Sequence, residues 1–408
     1  MPGLTGAFVS HFGDGLRGVA LPLLAARLSP DPHVLALVTA AGFLPWVLFA
    51  LPAGVLVDRV DRVRLLWAVD AFRAVLVGAF ALAVLGGVAS IPLLAVLAFG
   101  LATGQTLFET ASQSLVPSLV GPGDLTRANS RLAAGELVAG HFTGPALGAV
   151  LLTRAAAAPF VIDAVSFGAS AVILSSLPAR VPSPPATGGQ GTQARGAAGK
   201  LRQGLAWLRT DRVLLFVCVY FTAWNFALAG TTAVLVLWAR GPLGLSEAQF
   251  GLLFLAPAVG GLVGTLAAPR LRERMGDGPG LVASMVGLAL AFAGLGVAWH
   301  PVVAAVFLAL DGAMAGVWNV LAVGLRQSRV PDQLLGRVTS SYRFFGRGIR
   351  PVGALAGGLV AGAFGLRAPF LLAAAGLLGA TLLALPALRS LAPAEPARRL
   401  PGSEPARS

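Results

Sequence analysis

The first apolar stretch of the chain carries three ionisable residues whose spacing suits proton exchange. His11, Asp14 and Arg17 are three residues apart, so on a helix their side chains project from nearly one face. At ~1.5 Å per residue, Asp14 lies about 16 Å from the start of the stretch, near the middle of a bilayer. A desolvated carboxylate favours its neutral form, whereas a nearby arginine favours the charged form. Asp14 and Arg17 are therefore predicted to couple protons. A permanent ion pair between them is the alternative, and His11 is better explained as a packing residue.

Two glutamates in other apolar stretches have the same potential chemistry. Glu109 and Glu136 lie in the inner half of the membrane by the same counting, where ionisable side chains are costly and usually functional. Each is predicted either to exchange protons or to pair with a nearby arginine. Asp70 and Arg73 repeat the three-residue spacing and are expected to form a structural pair, and Asp163 has a similar status.

A second set of residues, in the later stretches, suits the binding of an organic molecule. Asp311 lies near mid-depth, and Arg343, Arg347 and Arg350 form a stripe along one helix. These arginines either attract an anionic substrate or pair with acids such as Asp311. Aromatic and amide side chains nearby favour an amphipathic pocket, with ordinary core packing as the alternative. The candidates for this cavity are Trp224, Asn225, Asp311, Trp318, Asn319 and Arg347.

The composition shows which elements must position these residues. Of the 408 residues, 56% are apolar and 12% are charged, against about 25% charged in an ordinary soluble domain. Mean hydropathy is +0.80, so lipid must solvate the apolar residues that one core cannot bury. Twelve apolar runs predict an all-α membrane protein with twelve transmembrane helices. The runs lie near residues 4–28, 33–57, 65–87, 91–116, 132–152, 156–177, 212–239, 247–269, 280–299, 302–324, 340–363 and 367–389.

The twelve predicted spans form two halves. Residues 1–178 are predicted to be an N-terminal six-helix bundle and residues 212–390 a C-terminal one, with a cytoplasmic tail at 391–408. Residues 179–211 form a cytoplasmic linker, rich in Pro and Gly at its start, which ends in a short interfacial helix or in an extension of the seventh span. The sequence QSLVP before the fifth span recurs as QSRVP before the eleventh. This repeat favours two pseudo-symmetric bundles with a transport site between them.

The distribution of basic residues predicts the orientation in the membrane. With the N-terminus inside, the inner segments hold twenty-two arginine and lysine residues and the outer segments hold four. The positive-inside rule then places both termini in the cytoplasm of a multi-pass cell (inner) membrane protein. This topology explains the formal net charge of +13 and the pI near 11.6, so no nucleic-acid partner is expected. The first run lacks a basic n-region and a clear cleavage site, and is predicted to remain as a span.

Missing motifs argue against enzymatic functions. The single Cys218 gives no internal disulfide and no multi-cysteine metal site. The four histidines are dispersed, and neither H-E-x-x-H nor G-x-S-x-G occurs. Without a G-x-x-x-x-G-K-[ST] loop, direct drive by ATP is not expected. We therefore expect no catalytic residues, no metal site and no cofactor, and we do not expect an enzyme.

The loop after the second span resembles a signature of the major facilitator superfamily. It reads GVLVDRVDRV from residue 54, against the family's G-x-L-x-D-R-x-G-R-[KR], and departs from it at Asp61 and at the last position. The resemblance implies that Gly54, Asp58, Arg59 and Arg62 form a gating loop, in which surface charges pair with helix ends and lock one conformation. A solvated positive loop without a gating role is the alternative.

A second motif lies in the fifth span. Gly140, Gly144, Pro145 and Gly148 resemble the G-x-x-x-G-P-x-x-G-G motif associated with drug/proton antiporters, with Ala149 in place of the last glycine. The glycines recur every four residues and form a smooth ridge that another helix can approach closely, while the proline removes a backbone donor. The ridge either seals or hinges a transport pathway, or it is ordinary tight packing.

The resemblance covers essentially the whole chain. Segments such as GDGLRGVALPLL and LTRANSRL are similar to the branch that contains enterobactin and macrolide exporters. The family implies the major facilitator fold, a third span at the bundle periphery, and alternating-access export of a small drug-like or siderophore-like molecule by proton antiport. The arginine expected in the fourth span of many proton-coupled antiporters is absent. An importer or a lipid/siderophore translocator of the same fold is the alternative. The expected partners are a small-molecule substrate, protons and the lipid bilayer, and we expect a monomer.

Overall fold

A computed structural model of the chain describes residues 2–57, 59–119, 135–176 and 193–391. These residues form helices and connecting turns, and no strand occurs among them. The first half contains α1 (Pro2–Leu28), α2 (Pro32–Val57), α3 (Arg62–Leu85), α4 (Ile91–Leu119), a π-helix π1 (Glu136–Thr143), α5 (Gly144–Arg154) and α6 (Ala158–Ser175). The second part contains α7 (Gln193–Thr210), α8 (Arg212–Arg240), α9 (Glu247–Leu253), α10 (Leu255–Met275), α11 (Asp277–Val297), α12 (Pro301–Arg329), α13 (Asp332–Gly348), α14 (Arg350–Phe364) and α15 (Ala368–Arg389).

Each of the twelve predicted spans corresponds to one helix or to a consecutive pair of helical segments. Within the described residues, nine segments are long and apolar enough to cross a membrane. The remaining three spans are α1, π1 with α5, and α13 with α14, which carry charged residues or are broken into shorter pieces. Large apolar side chains such as Val75, Leu383 and Phe364 point away from the protein, as expected of a surface in contact with lipid. The all-α membrane fold is confirmed.

The two halves repeat one packing pattern. In the first half α1 packs on α5 and α6, α2 packs on α4, and α3 packs on α6. The same relations recur in the second half: α8 packs on α14 and α15, α10 packs on α12, and α11 packs on α15. The halves meet where α2 contacts α14 and where α5 contacts α9. A space between the halves is bordered mainly by α1, α2 and α4 on one side and by α8 and α10 on the other.

Short side chains fix where several helices begin. Asp61, which stands where the family signature has glycine, accepts a hydrogen bond from the backbone N–H of Arg64 at 2.8 Å and caps α3. Asp211 caps α8 by accepting from Val213 N and Leu214 N at 2.9 and 3.1 Å. Burial opposes the charge of Asp211, but the hydrogen bonds from Arg329 and from the helix N-terminus hold its pKa below the ordinary value. These caps satisfy backbone donors that the first helical turn leaves free.

The helix predicted at the end of the linker packs against the protein. α7 ends at Thr210 and α8 begins at Arg212, so α7 is a separate helix rather than an extension of the seventh span. Leu208 of α7 is fully buried. The Ser341 hydroxyl of α13 donates to Leu201 O at 2.9 Å, and Arg337 donates to Gln203 at 2.8 Å. Residues 179–192 of the predicted linker and 392–408 of the predicted tail lie outside the described residues.

Candidate functional site

The glycine ridge of the fifth span brings its backbone against α1. A Cβ atom on Gly144 would lie 2.7 Å from the Cα atom of Gly15, and one on Gly148 would overlap the backbone of Leu16. Gly140 lies further away, with the His11 carbonyl 3.6 Å from its Cβ position. Only residues without a side chain permit this approach. The ridge therefore fixes the position of α1, whose ionisable side chains lie on the same turns.

Arg17 joins two carboxylates from different helices. Its guanidinium pairs with Asp14 one turn away on α1, and its Nε donates to Asp163 Oδ2 on α6 at 2.8 Å. The Asp14 side chain is 23% exposed, whereas Asp163 is fully buried. Asp163 Oδ1 is also buried and has no hydrogen-bond partner among the described residues. We call Asp14, Arg17 and Asp163 the acid trio, because two carboxylates share one guanidinium.

A second buried chain of polar groups lies beside the acid trio. Arg73 pairs with Asp70 at 3.4 Å, and Asp70 accepts from the Ser170 hydroxyl at 2.6 Å. The other end of the guanidinium donates to Gln105 at 2.9 Å, and Gln105 donates to Glu109 at 2.7 Å. Glu109 is thus linked to Arg73 through an amide and not directly. The predicted Asp70–Arg73 pair exists and is buried.

Aromatic rings and one glycine hold Arg73 in place. Its guanidinium carbon lies 5.3 and 5.2 Å from the ring centroids of Phe108 and Phe167, which is within the range of a cation–π interaction. A Cβ atom on Gly104 would lie 2.6 Å from Arg73 Nε, so this position must stay without a side chain. Arg73 also lines the central space described next. Arg73 therefore reaches the cavity from α3, a helix that packs on α4 and α6. The expectation that the third span lies at the bundle periphery stays a prediction.

A cavity of about 670 Å³ lies between the two halves. On the N-terminal side its polar lining comes from His11, Asp14, Arg17, Arg73 and Gln105. On the C-terminal side it is lined by residues of α8 and α10 such as Thr232, Val236, Phe254 and Pro257. His11, for which packing was the favoured explanation, thus faces the cavity together with Asp14 and Arg17. The N-terminal side of the cavity, together with the buried carboxylates behind it, is its acidic wall.

Two arginines of the eleventh span reach across to α2. The Arg350 guanidinium lies 5.6 Å from the ring centroid of Phe43, which also lines the cavity, and Arg347 lies 5.8 Å from the ring of Trp46. Arg350 Nε donates to the side-chain oxygen of Asn225 on α8 at 2.7 Å. None of Arg347, Arg350 and Asn225 is among the residues that line the 670 Å³ cavity itself. We call these three residues the basic wall, because Arg350 contacts Phe43, which does line it. Of the predicted stripe, Arg343 is exposed on α13.

The other cavity candidates of the second half are distributed differently. Trp318 is fully buried, and its ring centroid lies 4.9 Å from that of Tyr220. Asp311 has a buried Oδ1 atom without a hydrogen-bond partner among the described residues. The indole nitrogen of Trp224 is buried as well. Asn319 is exposed. None of these four residues is among those that line the 670 Å³ cavity, and their roles in substrate binding remain predictions.

One end of the molecule is closed by contacts between the halves. Arg27 of α1 donates from Nε to Glu247 Oε1 of α9 at 2.8 Å, and its Nη2 donates to the carbonyl of Leu152 at 3.3 Å. The Nη1 atom of Arg240 lies 3.4 Å from Oε1 of the same glutamate. Glu247 is therefore held by arginines from both halves. We call this end, which carries the α1–α2 turn, the Arg27 end.

Close backbone contacts seal the Arg27 end further. A Cβ atom on Gly251 of α9 would lie 2.8 Å from the carbonyl of Pro145, and one on Gly358 of α14 would lie 2.9 Å from the carbonyl of Pro32. Gly362 faces the ring of His33 in the same way. Pro145 of the antiporter-type motif therefore contacts the opposite half, whereas the glycines of that motif contact α1.

The predicted gating loop is described only in part. Gly54 is half-buried with open space at its Cβ position, Arg59 is exposed and Arg62 begins α3. Asp58 lies outside the described residues, and so does the side chain of Glu136, whose backbone begins π1. The gating role of the loop remains a prediction.

Three side-chain pairings were missed in the sequence. Asp163 and Arg17 are 146 residues apart, and Arg27 and Glu247 are 220 residues apart, so no local spacing links them. Gln105 is an uncharged residue one turn before Glu109, and the i, i+4 spacing was the one available signal for that hydrogen bond.

Comparison with known proteins identifies the family. Residues 4–403 match the family described as transmembrane secretion effector. The chain is 29% identical over 348 residues to the enterobactin exporter EntS of Citrobacter koseri, covering 82% of this chain and 78% of that protein. It is 28% identical over 394 residues to the multidrug efflux pump Tap of Mycobacterium tuberculosis strain H37Rv, covering 93% of this chain and 91% of that protein.

Solved structures share the fold. The nucleoside transporter NupG superimposes with a TM-score of 0.70 at 11% identity, covering 95% of this chain and 99% of that chain. A bacterial homologue of the iron transporter ferroportin gives 0.71 at 18% identity in its inward-facing state, covering 94% and 97%, and 0.63 at 20% identity in its outward-facing state, covering 96% and 98%. With a match over nearly its whole length, this chain belongs to the transmembrane secretion effector family of the major facilitator superfamily, a family of multi-pass membrane transporters rather than enzymes.

Proposed function

We propose that this protein exports a small organic molecule from the cytoplasm in exchange for protons, by alternating access. The observation that carries the proposal is the acid trio on the cavity: two carboxylates share one guanidinium between α1 and α6. The similarity to EntS and Tap, which are named as an exporter and an efflux pump, supports the outward direction. The contact between Arg27 and Glu247 supplies a gate, and the 670 Å³ cavity supplies space for the cargo.

The predicted orientation gives the cavity its direction. The excess of arginine in the inner segments puts the Arg27 end on the outside. Glu247, held by Arg27 and Arg240, then closes the outer end, and the cavity opens toward the cytoplasm. The higher TM-score with the inward-facing than with the outward-facing ferroportin homologue supports the same state.

The charge of the acid trio suits it to carry one proton. With both carboxylates ionised, the trio has a net charge of −1, which is costly at bilayer depth. A proton bound to Asp14 leaves Arg17 paired with Asp163 alone, and the trio is then neutral. Asp14 is the carboxylate that water in the cavity reaches, since Asp163 is fully buried. Asp14 therefore receives and releases the proton, and Asp163 keeps Arg17 in place.

Alternating access couples this proton to the cargo. The proton binds when the outer end is open and leaves when the cavity faces the cytoplasm, where cargo binds in its place. Returning to the outward-facing state with cargo requires the Arg27–Glu247 contact to break. A ligand shifts the equilibrium between the inward-facing and outward-facing states only if it binds one of them more tightly than the other. Protons and cargo must therefore each favour a different step of the cycle.

Everted membrane vesicles test this proposal directly. We expect an imposed proton gradient, acidic inside, to drive uptake of at least one compound from a panel of anionic, neutral and cationic aromatic molecules, and a protonophore to stop it. Asp14→Asn should stop the proton-dependent uptake without lowering the amount of protein in the membrane. The matched control is Asp332→Asn, an exposed carboxylate at the start of α13. Unchanged uptake by Asp14→Asn would remove Asp14 from the mechanism, and movement of cargo only in the opposite direction would favour an importer.

A further inference from the structure

Arg350 is a rigidly held cation beside Phe43, a residue of the cavity lining. Its Nε donates to the side-chain oxygen of Asn225, and the side-chain nitrogen of Asn225 donates in turn to the carbonyl of Phe221 at 2.8 Å. Asn225 is fully buried, so it has no freedom to turn away. Because an arginine fork has five N–H donors in one plane, this single bond fixes the direction of the remaining four.

The remaining donors of Arg350 are available to a ligand. Neither terminal nitrogen donates to a described residue, and neither is fully buried. No described carboxylate forms an ion pair with Arg350. Arg347 lies close enough to repel it. A guanidinium at this depth without an acidic neighbour is costly unless an anion accompanies it.

The surroundings of Arg350 favour an aromatic anion. Phe43 presents its ring to the Arg350 guanidinium and also lines the cavity. Trp46 lies one helical turn further along α2 and presents its ring to Arg347. A flat ring that carries a carboxylate or another acidic group can stack beside these side chains while its acidic group meets the arginine fork.

The opposite wall of the cavity points to the same cargo. The carboxylates Asp14 and Asp163 already have Arg17 as an internal counter-charge, and Asp70 has Arg73. A cationic cargo would have to compete with these internal pairs, whereas an anionic cargo meets an arginine that has none among the described residues. The positive charge of Arg350, which no described carboxylate balances, therefore favours an anionic cargo over a cationic one.

We propose that Arg350, positioned by Asn225 and flanked by Phe43, binds the acidic group of an aromatic anionic cargo. The inference rests on the proposed transport function and names the chemical class of the substrate. The planar fork receives the two oxygens of a carboxylate side by side, and the ring of the cargo lies toward Phe43 and the apolar lining of α8 and α10.

Equilibrium binding to the full chain in lipid nanodiscs tests the proposal without requiring transport. The probe is naphthalene-1-carboxylate, compared by calorimetry with its neutral carboxamide, with 1-naphthylmethylammonium and with cyclohexanecarboxylate. We expect the carboxylate to bind at least about tenfold more tightly than the carboxamide, the usual contribution of a charged hydrogen-bonded pair. Weaker binding of cyclohexanecarboxylate is expected because it lacks a flat ring. Equal binding of carboxylate and carboxamide, stronger binding of the ammonium compound, or no binding of the carboxylate would overturn the proposal.

Variants of the same predicted span assign the effect to Arg350. Arg350→Gln should abolish the preference for carboxylate over carboxamide while the carboxamide still binds, which shows that the variant is folded. Arg343→Gln is the matched control, because Arg343 is an exposed arginine of the neighbouring segment α13 and should leave the ratio unchanged. An equal loss of preference in Arg343→Gln would assign the effect to general charge and contradict the proposal.

A further variant keeps the test decisive if Arg350→Gln does not fold. If Arg350→Gln binds neither compound, Arg350→Lys decides, because it keeps the charge but loses the fork and the bond to Asn225. A reduced but remaining preference supports the proposal, and wild-type affinity for the carboxylate contradicts it. Binding of the carboxylate without export would contradict the proposed function alone, whereas proton-driven export of only neutral or cationic compounds would contradict this inference alone.

Discussion

The two walls of the cavity use the same packing for different chemistry. On the N-terminal side, α1 packs on α5 through Gly15, Gly144 and Gly148. On the C-terminal side, α8 packs on α14 through Gly230 and Gly357, whose backbones are as close. The acidic wall carries more carboxylates than arginines, whereas the basic wall carries arginines held by an amide and by aromatic rings.

This difference shows how a duplicated scaffold can divide two tasks. Close helix packing needs small residues at fixed positions, and both halves keep them. The charged residues differ between the halves: Asp14, Arg17 and Arg73 line the cavity, whereas Arg350 lies against Phe43 at its lining. Our account assigns the proton to the acidic wall and the cargo to the basic wall, so that the two ligands need not compete for one side chain.

The division has an electrical consequence. If one monoanion leaves the cell for each proton that enters, the exchange moves the equivalent of two positive charges inward. An inside-negative membrane potential then assists the export, by about 2.3 kcal/mol per charge for each 100 mV.

The largest effect is expected where the two halves are alike. Gly144→Leu places a side chain where the Gly15 backbone lies, and Gly357→Leu does the same against Gly230. Backbone cannot yield as a flexible side chain can, so we expect either variant to reduce the amount of folded protein or its transport by about tenfold or more. Fluorescence-detected size-exclusion chromatography and vesicle uptake measure both.

A glycine in open space provides the control for that comparison. Nothing lies within 4 Å of a Cβ position on Gly379, so Gly379→Leu should leave folding and uptake unchanged. Normal folding and uptake by Gly144→Leu would show that the ridge is not needed for helix approach.

Replacing a buried carboxylate by an amide should change proton movement more in the first half than in the second. Asp163→Asn leaves Asp14 and Arg17 as a neutral pair, so no proton is needed to balance the charge. We expect proton movement coupled to cargo to fall by about tenfold or more, while exchange of cargo for cargo continues. Asp311→Asn in the second half should change proton movement by less than about twofold. A pH-sensitive dye trapped in proteoliposomes measures the protons, and the opposite ranking of these variants would contradict the assignment.

The contact at the Arg27 end gives an intermediate effect. Glu247→Gln weakens the contacts with Arg27 and Arg240 and should favour the outward-open state. We expect about a threefold to tenfold faster reaction of an impermeant maleimide with a cysteine placed at Thr39, a residue lining the cavity. Glu273→Gln, at an acidic residue of α10 outside these contacts, is the control. An unchanged or slower rate in Glu247→Gln would show that the Arg27 end is held closed by other contacts.

The smallest effect concerns a helix cap outside the membrane. The pKa of Asp211 lies below its ordinary value in the folded protein, so its carboxylate stabilises the fold above the unfolded pKa of about 3.9 and loses this effect as pH falls through the folded pKa. Asp211→Asn should therefore lower the Tm by about 1–3 °C at pH 7. The difference should shrink below pH 4, and a difference that grows at low pH would contradict the ion pair with Arg329.

Much of the fold could be predicted because lipid imposes a simple pattern. A span must be long and apolar, so most ends of the twelve runs lie within five residues of a helix end. The largest errors are the start of α13, eight residues before the predicted start, and the end of α10, six residues after the predicted end. The breaks in the eighth and eleventh spans, at Phe254 and Ile349, were not predicted. The apolar pattern continues through Phe254, whereas Gly348 and Pro351 beside Ile349 are a signal that the prediction did not use.

The site was predictable only where partners are neighbours in sequence. Asp14 and Arg17 are one turn apart and could be found by spacing, whereas Asp163 joins them only through the packing of α6 on α1. Asn225 and Trp318 were expected to line the cavity, but both are fully buried. Hydropathy identifies a polar residue in a span but does not reveal whether it faces a cavity or another helix.

Proton movement driven by cargo tests the central claim most directly. Purified protein is reconstituted in proteoliposomes with a trapped pH-sensitive dye, and naphthalene-1-carboxylate is added outside. Our account predicts that, relative to protein-free liposomes, the wild type moves protons out of the lumen as the carboxylate enters, and that Asp14→Asn still binds the carboxylate but moves no protons. Proton movement of the same size with Asp14→Asn would contradict the assignment of the proton to the acidic wall.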